Sequence, residues 1–226
     1  MTAYLRLVLL IAGKDLRVEF RTRERVAAMG AFVVLTAILF NYAVDRTVIH
    51  PRELAAGLIW IVIVLAGLLG LGRTFELEKE DGALQGLLVA PVPRDALYLG
   101  KVLSNSVILL AVVGLTVGVF AFFFQVTIPG NPLPLAGVLL TGTVGFVALG
   151  TLFSGITAGT RMGETLLPLL LFPLLVPLIT FGAASTAHLL AGFPPGESAY
   201  TLRILIAFTL VALTAGAGLF RFIVED

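Results

Sequence analysis

The chain has 226 residues, of which 58% are hydrophobic and 13% are charged, and its 15 basic residues nearly balance 14 acidic ones. Soluble domains carry about 45–50% apolar and about 25% charged residues, so the composition excludes an ordinary soluble fold. Residues 102–160 contain no Asp, Glu, Lys, Arg or His, and a net charge of +1 provides no field to attract nucleic acid. The sequence therefore predicts an all-α integral membrane protein without a nucleic-acid partner.

Residues 1–25 form a basic segment that precedes the first long apolar run. Lys14, Arg17, Arg21 and Arg25 recur every three or four residues, which places them along one helical face. This spacing favours an amphipathic helix that lies in the cytoplasmic interface of the bilayer. The alternative is a basic juxtamembrane segment that only obeys the positive-inside rule.

Six apolar runs follow, and each approaches the roughly 20 residues that a membrane-spanning helix requires. Charged residues or turn-forming proline and glycine separate the runs. The predicted spans are residues 26–44, 54–72, 101–127, 135–159, 165–187 and 204–220. Together with the basic segment, they make residues 1–226 a single transmembrane domain.

The distribution of basic residues predicts the orientation of the chain. Of the 15 lysines and arginines, 12 fall on the side of the N-terminus, and only Arg46, Arg52 and Arg203 fall on the other side. Cytoplasmic loops carry the excess of Lys and Arg. Both termini are therefore predicted to be cytoplasmic.

Residues 74–95, called here the docking segment, join the second and third spans on the cytoplasmic side. They contain five acidic and two basic residues. Leu77, Leu84 and Leu88 are spaced seven and four apart, as in one stripe of a short amphipathic helix, and Pro91 and Pro93 end it. Such a helix is suited to a groove on another protein, and the alternative is a solvated loop with a helical turn.

Two blocks of the chain resemble a known family in order and spacing. The first comprises Phe75, Asp81-Gly82-x-Leu84-x-x-Leu87, Pro91-x-Pro93 and Lys101, and the second comprises Arg161-x-x-Glu164-x-Leu-Leu-Pro168 and Pro173-Leu174-x-x-Pro177. With the six-span plan, they resemble heme exporter protein B, the ABC-2-type permease subunit of bacterial cytochrome c maturation. Gln85 departs from the glutamate often found there, so charge at that position is not required.

The resemblance implies a permease subunit in the bacterial inner membrane that serves heme export for c-type cytochrome biogenesis. It implies docking of an ABC ATP-binding subunit on Phe75, Leu77, Asp81, Gly82, Leu84, Leu87 and Leu88, with a heme-handling membrane subunit and a second copy of the chain as further partners. The chain has no G-x-x-x-x-G-K-[ST] run. ATP hydrolysis is therefore expected in a partner, and this subunit is expected to be non-catalytic, with heme as cargo rather than cofactor.

Two other functions fit the same architecture. One is an ABC-2-type permease for another cargo, such as a lipid. The other is a membrane scaffold that joins an ATPase to a heme-handling subunit without a conduit of its own. The predicted spans contain no buried carboxylate, which argues against an ion-coupled transporter.

The second block also marks the cytoplasmic entrance of the fifth span. Arg161 and Glu164 are three residues apart, as in a structural ion pair at the rim, and the resemblance offers a gating role as the alternative. Pro168, Pro173 and Pro177 each remove a backbone hydrogen bond, which predicts a kinked or partly broken helix that either moves as a gate or fits irregular packing.

The two histidines, His50 and His188, fall on the extracytoplasmic side of the predicted topology. Imidazole is a common axial ligand of heme iron, but neither residue has a second motif nearby, which favours polar interface residues over ligands. The chain has no cysteine, which excludes iron–sulfur clusters and zinc sites with cysteine ligands, and no metal site is predicted. Trp60, Tyr42 and Tyr98 are interpreted as membrane-belt or lipid-facing aromatics.

Glycines at four-residue spacing suggest close helix crossings. The two pairs are Gly114 with Gly118 and Gly155 with Gly159. Such pairs are frequent by chance in glycine-rich spans, so the indication is weak.

Overall fold

The computed structural model describes residues 2–44, 51–75, 93–157, 163–197 and 199–223. Its described part forms seven α-helices and no strand: α1 (Thr2–Thr22), α2 (Glu24–Ala43), α3 (Pro51–Gly72), α4 (Arg94–Phe124), α5 (Leu133–Thr157), α6 (Gly163–Leu190) and α7 (Ala199–Ile223). Six of these, α2 to α7, contain stretches long and apolar enough to cross a membrane. The predicted all-α membrane fold is therefore confirmed.

The six long helices pack into one bundle around α5. Helix α5 contacts α3, α4, α6 and α7, while α2 packs against α3 and α4 at the edge. In the most apolar stretch of α5, 72% of the residues are buried, compared with 17% in the corresponding stretch of α2. Because lipid is as apolar as the core, helices in a membrane associate through close packing rather than through hydrophobic transfer.

Helix α4 is longer than a single membrane crossing needs. Its 31 residues extend about 46 Å at 1.5 Å per residue, compared with a hydrocarbon core of about 30 Å. It begins at Arg94 rather than near Lys101, so Arg94, Asp95 and Lys101 all belong to this helix. The predicted start of the third span, near Lys101, therefore lies about two turns inside the helix, and where the bilayer begins along α4 stays a prediction.

Helix α1 packs along this early part of α4. The Tyr4 hydroxyl donates a hydrogen bond to Asp95 Oδ2 over 2.7 Å, and burial, followed by that bond and the negative charge of Asp95, raises the pKa of Tyr4 to about 12. Tyr4 thus remains a donor at neutral pH. Further along, a Cβ atom at Gly100 would lie 2.8 Å from Ile11 Cβ, so the missing side chain allows the two helices to approach.

A single residue in the left-handed conformation separates α1 from α2. Arg23 has φ 58°, and its N–H donates to the Glu19 carbonyl over 2.7 Å. The turn ends α1 after 21 residues and redirects the chain into the first span. Whether α1 lies in the membrane interface stays a prediction.

Helix α6 runs without interruption from Gly163 to Leu190 through Pro168, Pro173 and Pro177. Of the two predicted alternatives, the partly broken helix is therefore wrong, and the kink stays a prediction. Packing of α6 against α3, α5 and α7 keeps it helical, because neighbouring helices compensate the backbone bonds that proline removes.

Candidate functional site

The docking segment begins where α3 ends, and only its two edges are described. Leu77, Asp81, Gly82, Leu84, Leu87 and Leu88 lie outside the described residues. The described root of the segment, Thr74 and Phe75, begins two residues after the end of α3. The described part of the candidate site therefore consists of the root and of the helices that contact it.

Phe75 faces the interior of this chain rather than a partner. Its side chain is 4% exposed and its ring stacks on Phe220 of α7, with centroids 6.0 Å apart. The Phe220 ring also contacts Tyr98 of α4 at 5.5 Å. Stacked and tilted rings at such distances stabilise packing beyond their buried area, so these three aromatics anchor the root between α4 and α7.

Lys101 lies beside the same root and is buried, with 3% of the residue exposed. Its Nζ is 3.0 Å from Asp15 Oδ2 of α1 and donates a hydrogen bond to the Thr74 carbonyl oxygen over 3.3 Å. The ammonium also lies 5.3 Å from the centroid of the Phe75 ring, within range of a cation–π interaction. One lysine therefore contacts α1 and both residues of the root.

Asn105, one helical turn after Lys101, also contacts the root and extends the polar contacts to two more elements, α2 and α5. Its Nδ2 donates to Thr74 Oγ1 over 3.2 Å and to Thr151 Oγ1 of α5 over 3.3 Å. Its Oδ1 accepts a hydrogen bond from Arg25 Nη1 over 3.3 Å. The amide thereby links α2, the root and α5, using both its donor and its acceptor groups.

Glu19 and Arg25 close this set at the junction of α1 and α2. Arg25 Nε donates to Glu19 Oε2 over 2.7 Å, and the Val26 N–H donates to Glu19 Oε1 over 3.0 Å. A carboxylate near a helix N-terminus satisfies orphan N–H groups and is favoured by the helix dipole. Glu19 therefore caps α2 from the end of the preceding helix.

These side chains form what is called here the root cluster, which consists of Asp15, Glu19, Arg25, Thr74, Lys101 and Asn105. It contains two acidic and two basic residues, and each described charge has an opposite partner. Sequence reasoning identified Lys101 only through the family resemblance and missed the acidic partners in α1. The one available signal was that Asp15 and Glu19 are four apart and thus share a helical face.

The predicted rim residues are only partly described. Arg161 lies outside the described residues, and Glu164 lies in the first turn of α6, where only the backbone is described. Pro168, Pro173 and Pro177 are all inside α6. Their role as rim or gate stays a prediction.

Only one of the two histidines belongs to the described part of the chain. His50 lies outside it, while His188 is in the last turn of α6, is exposed, and has its ring 4.8 Å from that of Phe193. Among the described residues, no group of three or more His, Cys, Asp or Glu side chains could hold a metal ion.

Two of the three aromatics interpreted as belt or lipid-facing residues are core residues. Trp60 and Tyr98 are 0% exposed. Trp60 Nε1 donates to Thr186 Oγ1 over 3.0 Å, and the Tyr98 hydroxyl donates to the Ala148 carbonyl over 2.9 Å. That interpretation is therefore wrong for both residues, whereas Tyr42 is 84% exposed. Buried aromatic N–H and O–H groups need such partners.

The glycine pairs also differ in their surroundings. A Cβ atom at Gly114 or Gly118 would meet nothing within 4 Å, whereas one at Gly155 would lie 2.8 Å from Phe220 Cε2. The first pair therefore makes no close crossing among the described residues. Gly155 does, and Gly159 lies outside the described residues.

Comparison with known proteins supports one family. The family model described as CcmB protein matches residues 6–220. The chain is 32% identical over 200 residues to heme exporter protein B of Paracoccus denitrificans, covering 88% of this chain and 90% of that protein. It is 34% identical to heme exporter protein B of Rhodobacter capsulatus, covering 76% and 79%, and 30% identical to that of Pseudomonas aeruginosa, covering 93% and 95%.

Proposed function

Because this chain belongs to the CcmB family, we propose that it is the permease subunit of a transporter complex that exports heme for c-type cytochrome biogenesis. The family match over residues 6–220 is the observation that carries this function. The relatives named above are heme exporters by name, and the six apolar helices supply the membrane domain that such a subunit requires.

The proposal extends to the source of energy and to the other subunits. The chain has no phosphate-binding loop of the Walker type, so an ABC ATP-binding subunit supplies ATP hydrolysis and this chain is non-catalytic. A heme-handling membrane subunit and a second copy of the chain complete the complex. Co-purification from membranes tests this: recovery of both the ATPase and the heme-handling subunit supports the proposal, whereas recovery of the ATPase alone indicates a permease for another cargo.

We propose that the docking segment binds the ATP-binding subunit through Leu77, Asp81, Gly82, Leu84, Leu87 and Leu88. Phe75 contributes differently, because its ring is buried against Phe220 and it anchors the start of the segment. In this proposal the anchored root allows a force applied to the leucine stripe to reach the bundle.

The docking proposal is tested by changing Leu84 to Asp and co-expressing the variant with the ATPase subunit. Burial of a leucine contributes about 1.5–3 kcal/mol, and Asp also places a charge in the contact. At about 1.4 kcal/mol per tenfold change, association should weaken at least about tenfold. Gln85→Asp is the matched control, because it adds the same charge next to the stripe and should retain binding.

Measurement of association and of cytochrome c maturation distinguishes the two interpretations of the segment. Wild-type association and maturation with Leu84→Asp would show that residues 74–95 are a solvated connector. Membrane insertion of the variant should be normal, since the sequence predicts that the segment lies between the second and third spans.

The orientation is part of the proposal. We propose that both termini and the docking segment are in the cytoplasm of a bacterial cell, with the chain in the inner membrane, and the 12-to-3 distribution of basic residues supports this orientation. A reporter that is active only outside the cytoplasm, fused after Asp226, should be inactive. An active reporter would refute the orientation.

For the entrance of the fifth span, we propose that Arg161 and Glu164 form a rim pair beside the proline-containing helix α6. The three-residue spacing supports such a pair. Pro168, Pro173 and Pro177 would let α6 adjust its packing as a gate. Arg161→Ala should then lower maturation without loss of the protein from the membrane, and unchanged maturation would refute the role.

A further inference from the structure

The ion pair between Asp15 and Lys101 joins three separate elements at one point. Asp15 belongs to α1 and Lys101 to α4, and their charged atoms are 3.0 Å apart. The same ammonium donates to the main-chain carbonyl of Thr74, the residue that begins the docking segment. A displacement of that carbonyl must therefore move Lys101 and Asp15 or break their contacts.

The chemistry of this joint matches the end of α3. The last carbonyls of a helix have no partner within the helix, and lysines near a helix C-terminus bind them and are favoured by the dipole. Thr74 N–H returns to the Leu71 carbonyl over 3.1 Å, while Ser154 Oγ donates to the same carbonyl over 3.0 Å. Lys101 supplies the donor for the carbonyl of Thr74, two residues after the last residue of α3.

Stability alone gives little reason to place a charged pair here. Taking two charges out of water offsets most of their attraction, and replacing a buried pair with apolar residues of similar volume is often neutral or stabilising. Lys101 is 3% exposed and the Asp15 side chain 10%. Directional contacts such as these specify a position, which an apolar pair would not do.

We propose that Asp15 and Lys101 are positioning residues that transmit movement of the docking segment to α1 and to the third span. The inference rests on the function proposed above, because it requires an ATP-driven partner on the segment. When that partner moves residues 76–92, the Thr74 carbonyl and the Phe75 ring move with them. Lys101 then carries the displacement into α4, and Asp15 carries it into α1.

The rest of the root cluster extends the path to the first span. Asn105 binds both Thr74 Oγ1 and the Arg25 guanidinium. Arg25 in turn pairs with Glu19 across the junction of α1 and α2. The beginning of α2 therefore moves with α1. A movement of the root is transmitted to α1, α2 and α4.

The experiment uses the complete complex and compares the double variant Asp15→Leu with Lys101→Met against wild type. Because the two apolar side chains replace both charges, we expect abundance and co-purification of partners within about twofold of wild type. We expect maturation per unit of ATP hydrolysed to fall about tenfold, within the 5–150-fold range typical of coupling between sites. Lys14→Met is the matched control: Lys14 also contacts Asp15, at 3.4 Å, but is 53% exposed, and its loss should leave coupling unchanged.

A distance measurement distinguishes transmission of movement from a purely structural role of the Asp15–Lys101 pair. The chain has no cysteine, so within this chain spin labels attach only at introduced cysteines. With labels at Arg17 of α1 and Ile156 of α5, both exposed, the distance should change between ATP-free and ATP-trapped wild-type complexes. In the double variant this change should disappear although the ATPase remains bound.

Each outcome decides the inference. Wild-type coupling and a wild-type distance change in the double variant would overturn it. If the double variant does not accumulate, the exchange variant Asp15→Lys with Lys101→Asp keeps the α1–α4 pair but removes the donor to Thr74, and it should accumulate without coupling. Failure of both to accumulate would show a folding role and also overturn it. Failure of the proposed function is distinguishable, because wild type itself would then lack the partners or maturation.

Discussion

The packing of Trp60 offers a sharp test of how this bundle is held together. Its indole ring lies between two glycines, Gly142 of α5 and Gly182 of α6, and is fully buried. A Cβ atom at Gly182 would lie 2.5, 2.7 and 2.8 Å from three carbons of the ring. We predict that Gly182→Ala destabilises the protein, because either the ring or α6 must shift.

The magnitude follows from comparison with a glycine that has open space. A Cβ atom at Gly137 of α5 would meet nothing within 4 Å. Both substitutions gain the same helix propensity, about 1 kcal/mol, so this term cancels between them. The difference is the overpacking cost, about 1–3 kcal/mol, or about 3–9 °C in Tm at roughly 3 °C per kcal/mol for a chain of this size.

Thermal unfolding of the purified chain in detergent or nanodiscs measures this difference. Trp60 is the only tryptophan, so its fluorescence also reports the local environment in Gly182→Ala and Gly137→Ala. In a Trp60→Leu background the ring is absent, and Gly182→Ala should cost no more than Gly137→Ala. The coupling energy of this cycle should therefore equal the overpacking cost, about 1–3 kcal/mol.

Two results would refute the reasoning. Equal Tm values for Gly182→Ala and Gly137→Ala would show that the ring is not confined by Gly182. A full penalty for Gly182→Ala in the Trp60→Leu background would show that the cost comes from another contact. In either case the described packing of α3 against α6 would not limit stability.

Two further predictions concern charged and titratable residues. Glu19→Gln leaves the largely buried Arg25 without its carboxylate and should lower stability by about 3 kcal/mol, at the lower edge of the range for broken buried pairs. Glu24→Gln, at an exposed neighbour, should stay within about 0.5 kcal/mol of wild type in the same unfolding assay. Replacing His50 and His188 together with Ala should leave cytochrome c maturation largely intact, and complete loss at normal protein levels would establish them as ligands.

The six apolar helices could be predicted from the sequence because the bilayer imposes a length and a composition. A span must supply about 20 apolar residues and satisfy its own backbone hydrogen bonds, and both requirements are local. The charge-free run of residues 102–160 therefore already predicts helices that cross a membrane. The family was also readable, because its motifs are short and keep their spacing.

The docking role of residues 74–95 stays a prediction, because the leucine spacing alone favours a solvated loop and only the family resemblance favours docking. The residue at which a helix begins was predicted less accurately than the presence of the helix. Helix α4 begins at Arg94, seven residues before Lys101, where the hydropathy pattern predicts the third span to begin. A helix can extend beyond the hydrocarbon core into water, and nothing in a hydropathy pattern marks that extension.

Only the tertiary structure decided which faces meet and which charges pair. Trp60 is buried because glycines 82 and 122 residues later in the chain leave space for its ring, and Lys101 is neutralised by Asp15, 86 residues earlier. In a membrane both lipid and core are apolar, so hydrophobicity does not distinguish a lipid-facing aromatic from a core one. That distinction depends on shape and on partners distant in sequence, which exist only once the helices have packed.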